Sequence, residues 1–139
     1  MNKSVCMASY NGENFIRKQI ESILDDLDDN DELIIVDDCS SDKTIEEINK
    51  FDDSRIKLLI NPVNMGEVYS FNKAILNTKN DYIFLSDQDD IWLKGRSDFM
   101  AKTLAMTSAI LLTSNFSWID EKDRHIEVKI DGVSSKKSK

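Results

Sequence analysis

The chain has 139 residues, 40% of them hydrophobic and 32% charged, with one proline, four glycines and a formal net charge of −8. That length fits one domain that buries about two thirds of the surface of its unfolded chain, so a real core is affordable without disulfides or metals. The ordinary composition argues against disorder outside the tail, and the acidic excess argues against a nucleic-acid groove or electrostatic attachment to an anionic membrane.

Val5-Cys6-Met7-Ala8 is a first apolar run and reads as a buried strand, after which Ile16, Ile20, Ile23 and Leu27 recur at helical spacing. The acids that follow, Asp25, Asp26, Asp28, Asp29, Asp31 and Glu32, lack the glycine and distal glutamate of an EF-hand loop and read as a solvated helix-to-strand turn. Leu33 to Val36 is a second strand. Ser41 then serves as the expected N-cap of a helix carrying Ile45, Ile48 and Phe51, with Asp37 and Asp42 readable as further caps of that helix. Ile56 to Ile60 is a third strand, Val68, Phe71 and Ile75 mark a third helix, and Tyr82 to Leu85 form a fourth strand. Phe99, Met100, Thr103 and Leu104 mark a fourth helix and Ala109 to Thr113 a fifth strand. Phe116, Trp118, Ile126, Val128 and Ile130 fit two short strands about the polar turn Asp120-Glu121-Lys122-Asp123, a hairpin or flap.

The alternation predicts an α/β domain over residues 1–130, a mostly parallel sheet with helices on both faces, followed by a flexible basic tail over 131–139. No stretch approaches the ~20 apolar residues of a membrane span, and Met1-Asn2-Lys3 does not open a signal peptide, so the expected location is cytoplasmic. Cys6 and Cys39 are too few for a disulfide framework and lack metal-ligand spacing; two reduced thiols are expected.

Two acidic clusters close strands: Val36-Asp37-Asp38-Cys39-Ser40-Ser41-Asp42 and Leu85-Ser86-Asp87-Gln88-Asp89-Asp90. In a parallel sheet, ligands bind beyond the carboxyl ends of the strands, where both clusters fall. Carboxylates about 4 Å apart repel by roughly 4 kcal/mol per pair at an effective dielectric near 20, so a cation is expected among them. Oxygen-only ligands favour magnesium, manganese or calcium over zinc.

Ala8-Ser9-Tyr10-Asn11-Gly12 after the first strand, the Asp37–Asp42 cluster after the second, Asn64-Met65-Gly66 before the third helix and Ser86-Asp87-Gln88-Asp89-Asp90-Ile91-Trp92 after the fourth strand resemble a family 2 glycosyltransferase of the GT-A fold. The Asp-Gln-Asp-Asp-Ile-Trp wording is similar to bacterial rhamnosyl- and glucosyltransferases of cell-surface polysaccharides. The resemblance covers the donor-binding part of such an enzyme. It implies that Asp89 ligates Mn²⁺ or Mg²⁺, with Asp87 at the metal, a metal-bound water or the ribose, and Asp90 as a further ligand. It implies that Asp38 accepts the N3–H of a pyrimidine and that Ser9, Tyr10 and Asn64 line the nucleotide-sugar. The implied donor is a UDP- or dTDP-sugar, the acceptor a saccharide or lipid-linked hydroxyl, and the outcome inversion, with the protein peripheral at the inner membrane face. Asn72 and Lys73 read equally as donor-facing or surface residues; Trp92 and Trp118 read as packing residues or sugar platforms, and His125 as structural or exposed.

Two features depart from the family. Lys94-Gly95-Arg96 stands where a Pro-Asp-Lys type sequence is usual, and the family's general base and acceptor site lie beyond residue 139. Asp120, Glu121 and Asp123 are the late acids, and nothing in their turn makes any of them a base, so no catalytic base is assigned. The alternatives are a nucleotide-sugar-binding or interaction module without turnover, and a phosphotransfer or receiver domain. The latter place their acids after the first strand, unlike this chain.

Overall fold

The structure is a computed structural model and describes residues 1–120 and 122–126. Four parallel strands, β1 (Lys3–Ser9), β2 (Glu32–Asp37), β3 (Ile56–Ile60) and β4 (Tyr82–Ser86), form one sheet in the order β3-β2-β1-β4. Four helices follow the strands in turn: α1 (Ile16–Leu24), α2 (Thr44–Ile48), α3 (Glu67–Ile75) and α4 (Arg96–Ala105).

The two inner strands are buried on both faces, which is why they read as unbroken apolar runs rather than as alternation. Val5, Met7, Leu33 and Ile35 point to one face, where Ile16, Ile20 and Ile23 of α1, Ile48 of α2 and Met100 and Ala101 of α4 cover them. Cys6, Ile34 and Val36 point to the other face, where Phe71 and Ala74 of α3 cover them. Handedness explains this split. The chain steps outward from β1 to β2 to β3 and then turns back past β1 to β4. A right-handed crossover in the reverse direction must pass over the opposite face.

Most expected elements are present, and three expectations change. Ala109 to Thr113 is not a strand: a strand requires a hydrogen-bonding partner, no described strand pairs with it, and Ile110 and Leu111 are exposed. The second helix begins at Thr44 instead of following Ser41, and Asp37 does not cap it. The acids before β2 are not simply solvated. Asp31 and Glu32 are buried, the first beneath Lys3 and the second on the Ser4 hydroxyl and the Lys79 N–H. Finally, Asp26 caps α4 from a distance, accepting the N–H groups of Gly95 and Ser97.

The expected hairpin is present as β5 (Trp118–Ile119) paired antiparallel with β6 (His125–Ile126), with His125 exposed on it. Val128, Ile130 and the basic tail 131–139 lie outside the described residues, as does the boundary at residue 130. No helix among the described residues is long and apolar enough to cross a membrane.

Candidate functional site

Register brings three loops together. Ser9 at the end of β1 lies opposite Asp37 of β2, and Met7 lies opposite Ser86 of β4, so the loops leaving β1, β2 and β4 open at one edge of the sheet. The strand order reverses between β1 and β4, which leaves a crevice there. It is an open cleft of about 410 Å³, within the range of small-ligand sites of roughly 300–1,000 Å³.

Side chains stitch these loops to one another through backbone groups. Buried Asp37 accepts hydrogen bonds from the Ser9 hydroxyl (3.0 Å), the Ser40 hydroxyl (2.6 Å) and the Ser40 N–H (2.9 Å). The loop after β1 is tied to the loop after β2 at three successive residues. Asn11 N–H donates to Ser40 Oγ, Gly12 N–H to Thr44 Oγ1, and Glu13 N–H to Asp42. Asp42 also accepts the Thr44 N–H at the start of α2, so its role is a helix-start acid that doubles as a loop tie.

Asp38 organises the opposite wall. Its Oδ1 accepts from Asn61 Nδ2 (2.7 Å) and Met65 N–H (2.8 Å), and its Oδ2 accepts from Gly66 N–H (2.8 Å). Gly66, at φ +88°, lets the chain turn there into α3. Burial alone would push the Asp38 carboxyl up, but the hydrogen bonds from Asn61, Met65, Gly66 and Ser70 outweigh it and hold the group below the usual carboxylate range. Asp38 is therefore ionised at neutral pH.

The loop after β4 is held at both ends by α1. Buried Gln19 donates to the Ser86 hydroxyl, and the Ser22 hydroxyl accepts the Trp92 N–H. Between these points Asp87, Asp89 and Asp90 are exposed. Although Asp90 is exposed as a residue, partial burial of its carboxyl, reinforced by the negative charges of Asp87 and Asp89, pushes it above its ordinary range, with Arg96 opposing the shift. Among the described residues no lysine, arginine or histidine forms an ion pair with Asp37, Asp38, Asp87, Asp89 or Asp90. No three acid, histidine or cysteine side chains among the described residues converge closely enough to enclose a metal by themselves. A hard cation held here would complete its shell with water and phosphate, as magnesium-type sites do.

Of the residues singled out from the sequence, Ser9, Tyr10, Asp38, Asn64, Asp87 and Asp89 line this one cleft, and Asp90, expected as a further ligand, does not. Asn72 and Lys73 do not line it; Lys73 instead donates to Asn61 Oδ1 (2.8 Å) behind Asp38. Trp92 is a core residue, its ring against Phe84 and beneath the Arg96 guanidinium, while Trp118 packs edge-on to Phe116 in the hairpin region. Gln88, Glu67 and Ser70 also line the cleft and were not singled out. The i, i+3 spacing of Glu67 and Ser70 immediately after the Asn-Met-Gly turn was the available signal for two of them.

These features define an α/β protein of the nucleotide-diphospho-sugar transferase, or GT-A, type. Staphylococcus aureus TarS in complex with UDP-GlcNAc superposes with a TM-score of 0.70 at 25% identity, over 76% of this chain and 32% of that one. The mannosyltransferase PcManGT of Pyrobaculum calidifontis, in complex with GDP-Man and Mn²⁺, has the same fold at a TM-score of 0.70 and 22% identity, over 74% and 32% of the two chains. The family model of glycosyl transferase family 2 matches residues 4–130, and the chain belongs to that family. It is 37% identical over 116 residues to the Escherichia coli UDP-Glc:alpha-D-GlcNAc-diphosphoundecaprenol beta-1,3-glucosyltransferase WfgD, covering 84% of this chain and 43% of the relative. It is 34% identical to the Shigella flexneri dTDP-rhamnosyl transferase RfbG, covering 78% and 40%. The chain thus spans less than half the length of these two relatives.

Proposed function

We propose that the chain is the donor-binding part of a glycosyltransferase of surface polysaccharide synthesis, taking a UDP- or dTDP-sugar in the cleft with Mn²⁺ or Mg²⁺. The observation that carries this reading is the pair Asp87 and Asp89, exposed without a partner cation among the described residues and lining one cleft with Ser9, Tyr10 and Asp38. An anionic diphosphate needs a bridging cation in so acidic a cleft. Asp89 and Asp87 would hold it, and when bound it supplies Lewis-acid stabilisation of the leaving diphosphate. Asp38, kept ionised by its backbone donors, would accept a base N–H, Tyr10 offers its half-exposed ring to the base or ribose, and Ser9 and Asn64 complete the nucleotide side. The sugar then passes with inversion to a saccharide or lipid-linked hydroxyl, on a protein peripheral to the cytoplasmic membrane face; the names of WfgD and RfbG support the donor classes, and that of WfgD the lipid-linked acceptor.

Titration of UDP and of dTDP, with and without Mn²⁺, on the parent and on Asp89→Ala tests this. Metal-dependent binding that the substitution abolishes is expected; binding that is independent of both metal and Asp89 overturns the assignment. A second reading, donor binding without transfer, is favoured by the late acids Asp120 and Asp123, Glu121 lying outside the described residues. Asp120 is committed to Arg124 and Asp123 to Lys18, and neither lines the cleft. Transfer or donor hydrolysis by this chain in the presence of Mn²⁺ would overturn that second reading.

A further inference from the structure

We infer that Gln88, the residue between the two acids of the Asp-x-Asp triplet, is a positioning residue that locks the acidic loop onto the nucleotide-side loop. Its side-chain amide pairs with both backbone groups of Tyr10: Tyr10 N–H donates to Oε1 (3.0 Å) and Nε2 donates to Tyr10 C=O (3.1 Å). This two-bond pairing reproduces a rung of β-sheet across loops 78 residues apart in sequence, where the strands themselves have ended. It fixes more than Tyr10. The next three residues, Asn11, Gly12 and Glu13, are each tied to the loop after β2, so Gln88 joins Asp87 and Asp89 to the same framework that carries Asp38.

A second observation points to the same contact. A Cβ on Gly12 would lie 2.2 Å from Gln88 Oε1 and 2.7 Å from its Cδ. Gly12 is not in the left-handed region, so what the position demands is space, and the space is filled by the Gln88 amide. Sequence shows Gly12 and Gln88 as unrelated; the fold makes them one contact. The consequence, which rests on the donor-site reading above, is that Gln88 sets the distance between cation-side and base-side ligands. It acts through the carboxylates beside it and through the Tyr10 loop that it holds.

The experiment has two arms on the 139-residue chain. In the first, hydrogen exchange at the Tyr10 amide is followed by NMR in the parent, Gln88→Ala and Gly12→Ala. Protection in the parent falling about tenfold or more in both variants is expected, as one tenfold step is about 1.4 kcal/mol of opening free energy. Equal exchange in the parent and Gln88→Ala overturns the clamp. In the second, UDP binding is titrated with Mn²⁺. Gln88→Ala should raise the Mn²⁺ midpoint about tenfold, the low end of the 10- to 100-fold typical of losing an outer-shell partner. Gly12→Ala should reproduce this in the parent and add nothing in Gln88→Ala. Multiplying effects, or an unchanged midpoint in Gln88→Ala, overturn the positioning role. If the parent itself shows no metal-dependent UDP binding, the donor-site reading fails, and the exchange arm still decides the clamp.

Discussion

The two ends of the sheet both gather carboxylates and treat them in opposite ways. At the amino ends of the strands the Lys3 ammonium is fully buried, 2.6 Å from Asp98, 3.2 Å from Asp31 and 3.5 Å from Asp28. Burial alone would push Lys3 down, but its hydrogen bonds to Asp98 and Asp31 outweigh that and raise it, so a permanent cation is built into that cluster. At the carboxyl ends Asp87 and Asp89 repel Asp90, and among the described residues no cation forms an ion pair with any of the three, Arg96 acting on Asp90 only from beyond ion-pair distance. A cluster with an internal counter-ion is structural. One without it keeps its charge free for a cation that can come and go, which is what binding a diphosphate requires.

The contrast can be broken most forcefully at Lys3. Lys3→Ala leaves Asp31 buried and unpaired, and breaking a buried ion pair from one side typically costs about 3–5 kcal/mol. A drop in Tm of roughly 10 °C is expected by calorimetry for a chain of this size, with UDP affinity of the folded fraction unchanged. Asp38→Ala should follow, at about 2–3 kcal/mol, because it strands one buried donor, Asn61 Nδ2, at about 1–3 kcal/mol, while the part-buried Met65 and Gly66 N–H groups can turn to water at little cost. Unlike Lys3→Ala, it should also weaken UDP binding in a titration. Asp89→Ala reverses the pattern: at least about a tenfold loss of Mn²⁺-dependent UDP binding, or 1.4 kcal/mol, with Tm unchanged or slightly raised as like-charge repulsion falls.

A smaller effect appears in acid. The folded pKa of Asp38 lies below its unfolded value near 3.9, so its stabilisation is complete above the ordinary carboxylate range and lost as pH falls through the folded value. Asp38→Asn should therefore show a shallower acid-unfolding limb by circular dichroism. Asp90 has the opposite sign. Its raised pKa means that its ionisation opposes folding, and Asp90→Asn should raise Tm slightly at neutral pH and lose that advantage as the parent protonates. Smallest of all, a thiol reagent at neutral pH should modify exposed Cys39 and spare Cys6, whose thiol burial pushes up to about 12. Modification of both in the native chain would mean that the sheet opens.

Much of this was legible in the sequence, for definite reasons. Strands β1 to β4 and the four helices follow from apolar periodicity, and the six cleft residues from motifs at strand ends. Where periodicity misled, the missing quantity was a partner. Ile110 and Leu111 are as apolar as a strand requires, yet no described strand offers them an edge. Asp31 and Glu32 look like any solvated acids until Lys3 and Ser4 are brought against them across 28 residues. Gln88 carries no local mark, because its importance lies wholly in its bonds to Tyr10.

The sequence by itself determined the α/β alternation, the family and the positions of the acids, because each depends on residue spacing within a few turns of chain. Only the tertiary structure decided which carboxylates are satisfied. Asp31 and Asp37 are consumed by partners inside the protein, Asp38 nearly so, and Asp87 and Asp89 face open solvent. Whether an acid is a strut or a ligand depends on the donors within about 3 Å of its oxygens, and long-range pairing sets that distance.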